Sequence, residues 1–246
     1  MQTKVVIFVL TYNRVNYLKS ALESILNQTY SDFILNVLDN CSNDGTEEYV
    51  KSIEDKRVNY IRHEHNLGGI GNISYAFKNC AGDYFAVFHG DDILHDNLLK
   101  EEVAYLENHE DCMAVSCLAN NIDENGEYTK IINEEKYDER IFCHEQFFHE
   151  YLNKQKSFTF PATVYRTEFI KNNNITILST PGPCIDVVIY MELEKKGGTI
   201  AEIPKTSSRR SSIFCDCPFS FYESPSIISA NRSGFRGTNP PCPVPE

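Results

Sequence analysis

The sequence has no apolar run long enough to cross a membrane. Its longest is the stretch from Val5 to Leu10, well short of the roughly 20 residues a spanning helix needs. Met1 to Lys4 followed by so short a run also lacks the apolar stretch and small-residue cleavage site of a secretory signal, so the expected compartment is the cytoplasm. Basic charge is scarce. Lys and Arg number 23 against 35 Asp and Glu, leaving a formal charge of −12. With no basic stripe to concentrate the cations, such a chain repels phosphate backbones, and no nucleic acid partner is expected. The 9 cysteines fall at irregular spacings that match no zinc pattern, and reduced thiols are expected. What the chain does have is 41% hydrophobic side chains over 246 residues, enough for one sizeable core or two small ones.

From Lys4 to about Cys117, short β-branched runs alternate with helical patterns, the signature of βα units around a mostly parallel sheet. Strands are expected at about 4–10, 33–39, 57–63, 83–89 and 112–117. Tyr17, Leu18, Ala21, Leu22, Ile25 and Leu26 recur at helical spacing and define the first crossover helix. A second helix follows Asn43-Asp44-Gly45-Thr46 with Thr46 as its N-cap; a third spans about 70–80 and a fourth about 96–108.

The stretch 120–156 is acidic and carries the turn signal Asn125-Gly126, which reads as a hairpin and a mobile polar segment. Its cluster Phe142, His144, Phe147, Phe148, His149 and Tyr151 reads as an amphipathic helix packed on the sheet. Apolar patterning resumes over 158–170. A helix over about 185–196, with Glu192 and Glu194 on its solvated face, ends at Gly197-Gly198 and leads into a strand over 199–203. Residues 205–246 hold six of the 10 prolines and three of the 9 cysteines and read as a poorly ordered tail. The expected organisation is therefore a βα part over 1–119, a smaller segment of the same domain over 120–204, and the tail.

In an open parallel sheet, ligands bind beyond the carboxyl ends of the strands. Those ends are polar. The first runs into Thr11-Tyr12-Asn13-Arg14, the second into Asp39-Asn40-Cys41-Ser42, the third into Asn66, Gly68, Gly69, Gly71 and Asn72, and the fourth into His89-Gly90-Asp91-Asp92. Most of these have plain structural readings as caps and turns, and the glycines match neither standard phosphate-binding fingerprint. Asp91 and Asp92 differ, because adjacent carboxylates at the end of an apolar strand repel one another unless a cation offsets them.

Taken together, Lys4 to Asn13, Ser24 to Thr29, Val37 to Thr46, Asn66 to Gly69 and Ala81 to Asp92 resemble the family 2 glycosyltransferases in order and spacing. The resemblance implies an α/β domain of the GT-A type, with a mostly parallel central sheet flanked by helices and a smaller acceptor-side segment. It implies base and ribose contacts from Thr11, Tyr12, Asp39 and Asn40, a nucleotide-sugar contact from Asn13, and a diphosphate side lined by Arg14 and the loop carrying Asn66, Gly68, Gly69 and Asn72. The family's Asp-x-Asp motif falls on His89-Gly90-Asp91, followed by Asp92, so its first acidic position is a histidine. Asp91 and Asp92 become the candidate ligands of Mn²⁺ or Mg²⁺, with His89 on ribose or phosphate. Asp186, near the start of a helix, matches the position of the family's general base.

The resemblance implies an inverting transferase that moves sugar from a nucleotide diphosphate donor, a UDP sugar first among them, to a glycan or lipid-linked acceptor in surface polysaccharide assembly, at the inner face of the membrane where that acceptor is lipid-linked. The altered motif leaves a catalytically idle nucleotide-sugar-binding module as the alternative.

Overall fold

A short run of apolar residues without alternation suits a strand covered on both faces, and Val5–Thr11 forms β1 in the interior of the sheet. The computed structural model describes residues 4–123, 127–154, 160–177 and 185–211. After β1 come α1 (Val15–Leu26), β2 (Phe33–Asp39), α2 (Thr46–Lys51), β3 (Val58–Arg62), α3 (Gly68–Lys78), β4 (Tyr84–His89), β5 (Asp92–Leu94), α4 (Leu98–Asn108) and β6 (Cys112–Ile122). The remainder is β7 (Tyr128–Lys130), β8 (Arg140–Phe142), α5 (Gln146–Lys154), β9 (Thr163–Arg166), α6 (Thr167–Asn172), α7 (Ile185–Lys195) and β10 (Thr199–Ser211), with 3-10 turns at Glu134–Lys136 and Phe160–Ala162.

The strands form one mixed sheet in the order β3-β2-β1-β4-β9-β6-β10-β5, with β7 beside β6 and β8 beside β10. β3, β2, β1 and β4 are mutually parallel. β9 is inserted antiparallel between β4 and β6, and β10 runs parallel to β6 but antiparallel to β5. Side chains alternate across β1 and feed two cores. Val5, Ile7 and Val9 pack with Leu18, Leu22 and Ile25 of α1 and with Leu98, Leu99 and Val103 of α4. Val6 and Phe8 pack with Ile73 and Phe77 of α3 and with Tyr190 and Leu193 of α7.

Several expectations are corrected. Thr46 is the first residue of α2 rather than its cap; Gly45, at φ 90°, takes the left-handed turn that a side chain would resist. The hairpin expected from 120 onward is present, with β7 antiparallel to β6, whereas the polar segment after it contributes β8 to the sheet beside β10; residues 124–126, with the Asn125-Gly126 signal, and 155–156 lie outside the described residues. Glu194 is not on a solvated face. It is buried, and its carboxylate accepts the backbone N–H of Phe147 at 3.0 Å, satisfying an early donor of α5 from another helix. Cys143 is disulfide-bonded, whereas Cys41, Cys80, Cys112 and Cys117 are free thiols; such pairing follows spatial proximity, which spacing does not encode.

The strand expected at 199–203 continues to Ser211, so the boundary placed at 204/205 falls inside β10. Its register shifts between Ile203 and Thr206, around Pro204, which has no N–H for the ladder. Beyond that irregularity β10 lies alongside β5, with Arg210 opposite Asp92. Residues 212–246 lie outside the described residues.

Glu102 of α4 is fully buried, and burial pushes its carboxyl well above the usual range. Between the ordinary carboxyl value and the raised one, the native state holds a proton that the unfolded chain has released, so stability falls as pH rises through that window. Glu102→Gln removes the term. Its melting temperature at pH 8 is expected to exceed that of the parent by about 2–4 °C or more, with the gap closing towards pH 4, as thermal denaturation across pH will show.

Candidate active site

β1 has β2 on one side and β4 on the other, and the chain builds outward to β3 before returning, so the topology reverses at the carboxyl ends of β1 and β4. A crevice forms at such a point. The register sets Leu10 opposite His89, and the Gly90 N–H donates to the Leu10 carbonyl at 2.8 Å. Gly90 is needed there for space: a Cβ would lie 3.1 Å from that carbonyl oxygen and 3.2 Å from Leu18 Cδ1.

Past this tie the chain presents His89, Asp91 and Asp92, whose ligand atoms lie within 4.8 Å of one another. Asp92 is buried and His89 Nδ1 is 3.8 Å from its Oδ2. From across the crevice Arg14 donates through Nη1 to Asp91 Oδ2 at 2.6 Å. The ring of Phe160 approaches His89 with centroids 6.0 Å apart.

The loops after β1 and β2 are strapped together. Asn13, at φ 50°, donates its N–H to Ser42 Oγ and accepts the Asn43 N–H at its side chain, both at 2.9 Å. Asp44 spans two helix starts: Oδ2 accepts the Val15 N–H of α1 at 2.8 Å, and Oδ1 accepts the Thr46 hydroxyl of α2 at 2.6 Å. Asp39 is fully buried and accepts from the Ser42 N–H, the Ser42 hydroxyl and the Tyr60 hydroxyl, with Arg62 3.8 Å away. Burial, with this bond to Asp39, pushes the Tyr60 phenol well above its usual value.

Asn40 binds the next loop. Its Nδ2 donates to Asn66 Oδ1 at 2.7 Å and to the Gly68 carbonyl, and its Oδ1 accepts the Leu67 N–H at 2.7 Å. Gly68, at φ 71°, and Gly69 open α3. Asn72 is turned inward, with Nδ2 on the Leu38 carbonyl and Oδ1 against His63 Nε2; its position on the buried face of α3 takes it away from the rim. Thr11 is buried and its hydroxyl makes no hydrogen bond among the described residues, while Tyr12 is exposed on the rim.

A family model for glycosyl transferase family 2 matches residues 6–172. The chain belongs to glycosyltransferase family 2. It is 37% identical over 151 residues to an uncharacterized glycosyltransferase of Methanocaldococcus jannaschii, covering 60% of this chain and 52% of that one. An uncharacterized glycosyltransferase of Haemophilus influenzae is 31% identical over 132 residues, covering 53% of this chain and 38% of the other. The chain therefore spans about half or less of these relatives. Among solved structures, the fold superposes on S. aureus TarS in complex with UDP-GlcNAc with a TM-score of 0.72, at 21% identity over 90% of this chain and 62% of that one. It also superposes on the mannosyltransferase PcManGT from Pyrobaculum calidifontis in complex with GDP-Man and Mn²⁺, with a TM-score of 0.62, at 15% identity over 89% of this chain and 59% of the other. The GT-A type fold expected from the motifs is the fold observed.

Within this family 2 fold, Asp186 occupies the first turn of α7, half-buried. Its charge helps raise the buried phenols of Tyr165 and Tyr190, after the larger effect of burial, and Tyr190 is hydrogen-bonded to Thr163 Oγ1 at 2.8 Å. β9, which carries Thr163, is thus the link between α7 and β4. The loop 178–184 before Asp186 lies outside the described residues. Of the residues that hold these loops, Ser42 and Asp44 were read from sequence only within turns, and Tyr60 and Arg62 were missed by sequence reasoning. The first two sit in plain sight as turn formers, but Tyr60 and Arg62 enter only because β3 pairs in register with β2, setting Val37 opposite Tyr60 and Asp39 opposite Arg62.

The donor set of one imidazole and two carboxylates fits a divalent cation. The loops after β1 and β2, the first of which carries Arg14, hang on Asp44. Asp44→Ala strips an acceptor from two helix starts and is expected to cost about 1–2 kcal/mol of stability, measured by denaturant unfolding, with a matching loss of ordering at Arg14.

Proposed function

We propose that this chain transfers a sugar from a nucleotide diphosphate donor, with a UDP sugar the preferred class, to a hydroxyl of a glycan or lipid-linked glycan, inverting the anomeric centre, in surface polysaccharide assembly at the inner face of the membrane. The observation that carries the reading is the convergence of His89, Asp91 and Asp92 at the point where the sheet's topology reverses. Further support comes from the UDP-GlcNAc and GDP-Man carried by the two structural neighbours.

In this reading Thr11, Tyr12, Asp39 and Asn40 form the base and ribose side. The buried Thr11 hydroxyl is suited to a ligand contact, whereas Asp39 acts by fixing the 39–45 turn, since Ser42 and Tyr60 already occupy its oxygens. Asn13, Arg14, Asn66, Gly68 and Gly69 frame the diphosphate side, with Gly90 keeping the crevice narrow. His89, Asp91 and Asp92 would hold Mn²⁺ or Mg²⁺, which when bound stabilises the charge developing on the departing diphosphate. Asp186 takes the proton of the acceptor hydroxyl as its oxygen bonds to the anomeric carbon and the bond from that carbon to the diphosphate breaks.

A catalytically idle nucleotide-sugar-binding module is favoured by one observation, the histidine in the first acidic position of the motif. The two readings separate in an assay. With a panel of UDP and GDP sugars, metal-dependent release of nucleoside diphosphate is expected for one donor, and binding without any release would leave only the module. Asp91→Asn/Asp92→Asn is expected to abolish the difference in donor affinity between Mn²⁺ and excess chelator in calorimetry. Asp186→Asn keeps shape and loses basicity, so it should bind donor normally and cut transfer by about 10²-fold or more; full transfer by this variant would assign the base elsewhere.

A further inference from the structure

Arg14 donates to Asp91 at 2.6 Å, and both side chains are largely sheltered, at 26% and 14% exposure. Short charge-assisted bonds of this kind are stronger than the mobile ion pairs of open surface. Asp91 is also a member of the cluster that would take a divalent cation. Asp92 is buried beside Asp91, and two adjacent carboxylates repel one another unless a positive charge lies against them.

We propose that Arg14 is the built-in counter-cation of Asp91 and that it passes from Asp91 to the donor's diphosphate, so that the divalent cation is taken up together with the donor rather than before it. This rests on the donor reading given above. A guanidinium and a divalent cation repel each other when both sit on one carboxylate, so the cation arriving alone must displace Arg14 into solvent at a loss. A diphosphate removes that loss. Its oxygens offer the planar guanidinium fork a second partner of matching geometry, and they add ligands for the cation at the same moment.

The exchange involves the side chain and leaves the backbone in place. The Arg14 carbonyl accepts the N–H groups of Tyr17 and Leu18 at the start of α1, the Val15 N–H is held by Asp44, and Asn13 is strapped to Ser42. The base of the side chain is therefore anchored between the first two loops, within reach of the crevice. Binding of cation and donor is then thermodynamically coupled, each raising the affinity for the other by the same factor.

The test is Mn²⁺ binding to the full chain, followed by the electron paramagnetic resonance signal of free Mn²⁺, with and without UDP, for the parent, Arg14→Gln and Arg14→Lys. The parent is expected to bind Mn²⁺ at least about tenfold more tightly with UDP than without, a factor in the ordinary range of coupling between two sites. Arg14→Gln, lacking the competing charge, should bind Mn²⁺ alone at least about tenfold more tightly than the parent and lose most of the coupling. Arg14→Lys keeps the charge and should stay near the parent. Equal Mn²⁺ affinity with and without UDP in a parent that does bind UDP overturns the proposal even if Arg14→Gln fails to fold, and so does an Arg14→Gln variant that folds and binds Mn²⁺ no better than the parent. A parent that binds no nucleotide diphosphate with any divalent cation overturns the donor reading instead, and the comparison with Mn²⁺ alone still decides whether Arg14 guards Asp91.

Discussion

Leu10 lies opposite His89 in the parallel ladder between β1 and β4, and the Gly90 N–H closes onto the Leu10 carbonyl immediately beyond it. Every feature of the rim depends on that register. Side chains alternate with a period of two, so a slip of one residue would turn His89 from the Phe160 side to the opposite core and carry Asp91 away from Arg14. The apolar residues of β1 fix the register by burying Val5, Ile7 and Val9 on one face and Val6 and Phe8 on the other. The geometry of a charged site is thus enforced by hydrophobic packing that contains no charge.

Around this axis the chain spends its polar side chains on one another. Asp39, Asn40 and Asn13 look from sequence like a set of ligand groups, yet most of their atoms are committed to neighbouring loops, as are those of Asp44. Each bond fixes a stretch of backbone that has no regular partner, which is how irregular loops at a strand end avoid leaving buried N–H groups unpaired. By contrast, the buried Thr11 hydroxyl makes no hydrogen bond among the described residues, and the Tyr12 ring is exposed.

The second half of the molecule follows a different logic. β9 enters antiparallel between β4 and β6, and β10 bends at Pro204 to reach β5. Both manoeuvres bring late segments of the chain to the crevice made by early ones. Through Thr163 the inserted strand also ties α7, and with it Asp186, to the sheet beside β4, while Phe160 in the turn just before it meets His89.

The sequence by itself determined the βα part, because apolar runs of strand length, a helical spacing such as Leu18, Leu22 and Ile25, and turn residues at strand ends are local signals with local causes. It determined the family as well, since Asp39, Asn66 and His89 to Asp92 keep their order whatever the fold does around them. Only the tertiary structure decided which of those residues face the crevice. Asn72 and Glu194 read as rim and surface but are buried, because the side of a helix that meets the sheet is set by packing among elements distant in the chain. Tyr60 reached Asp39, and Arg14 reached Asp91, through parallel pairing across 21 and 77 residues. Parallel strands can be joined only by long crossovers, so the residues meeting at their ends are far apart in sequence and leave no spacing by which their contact could have been read.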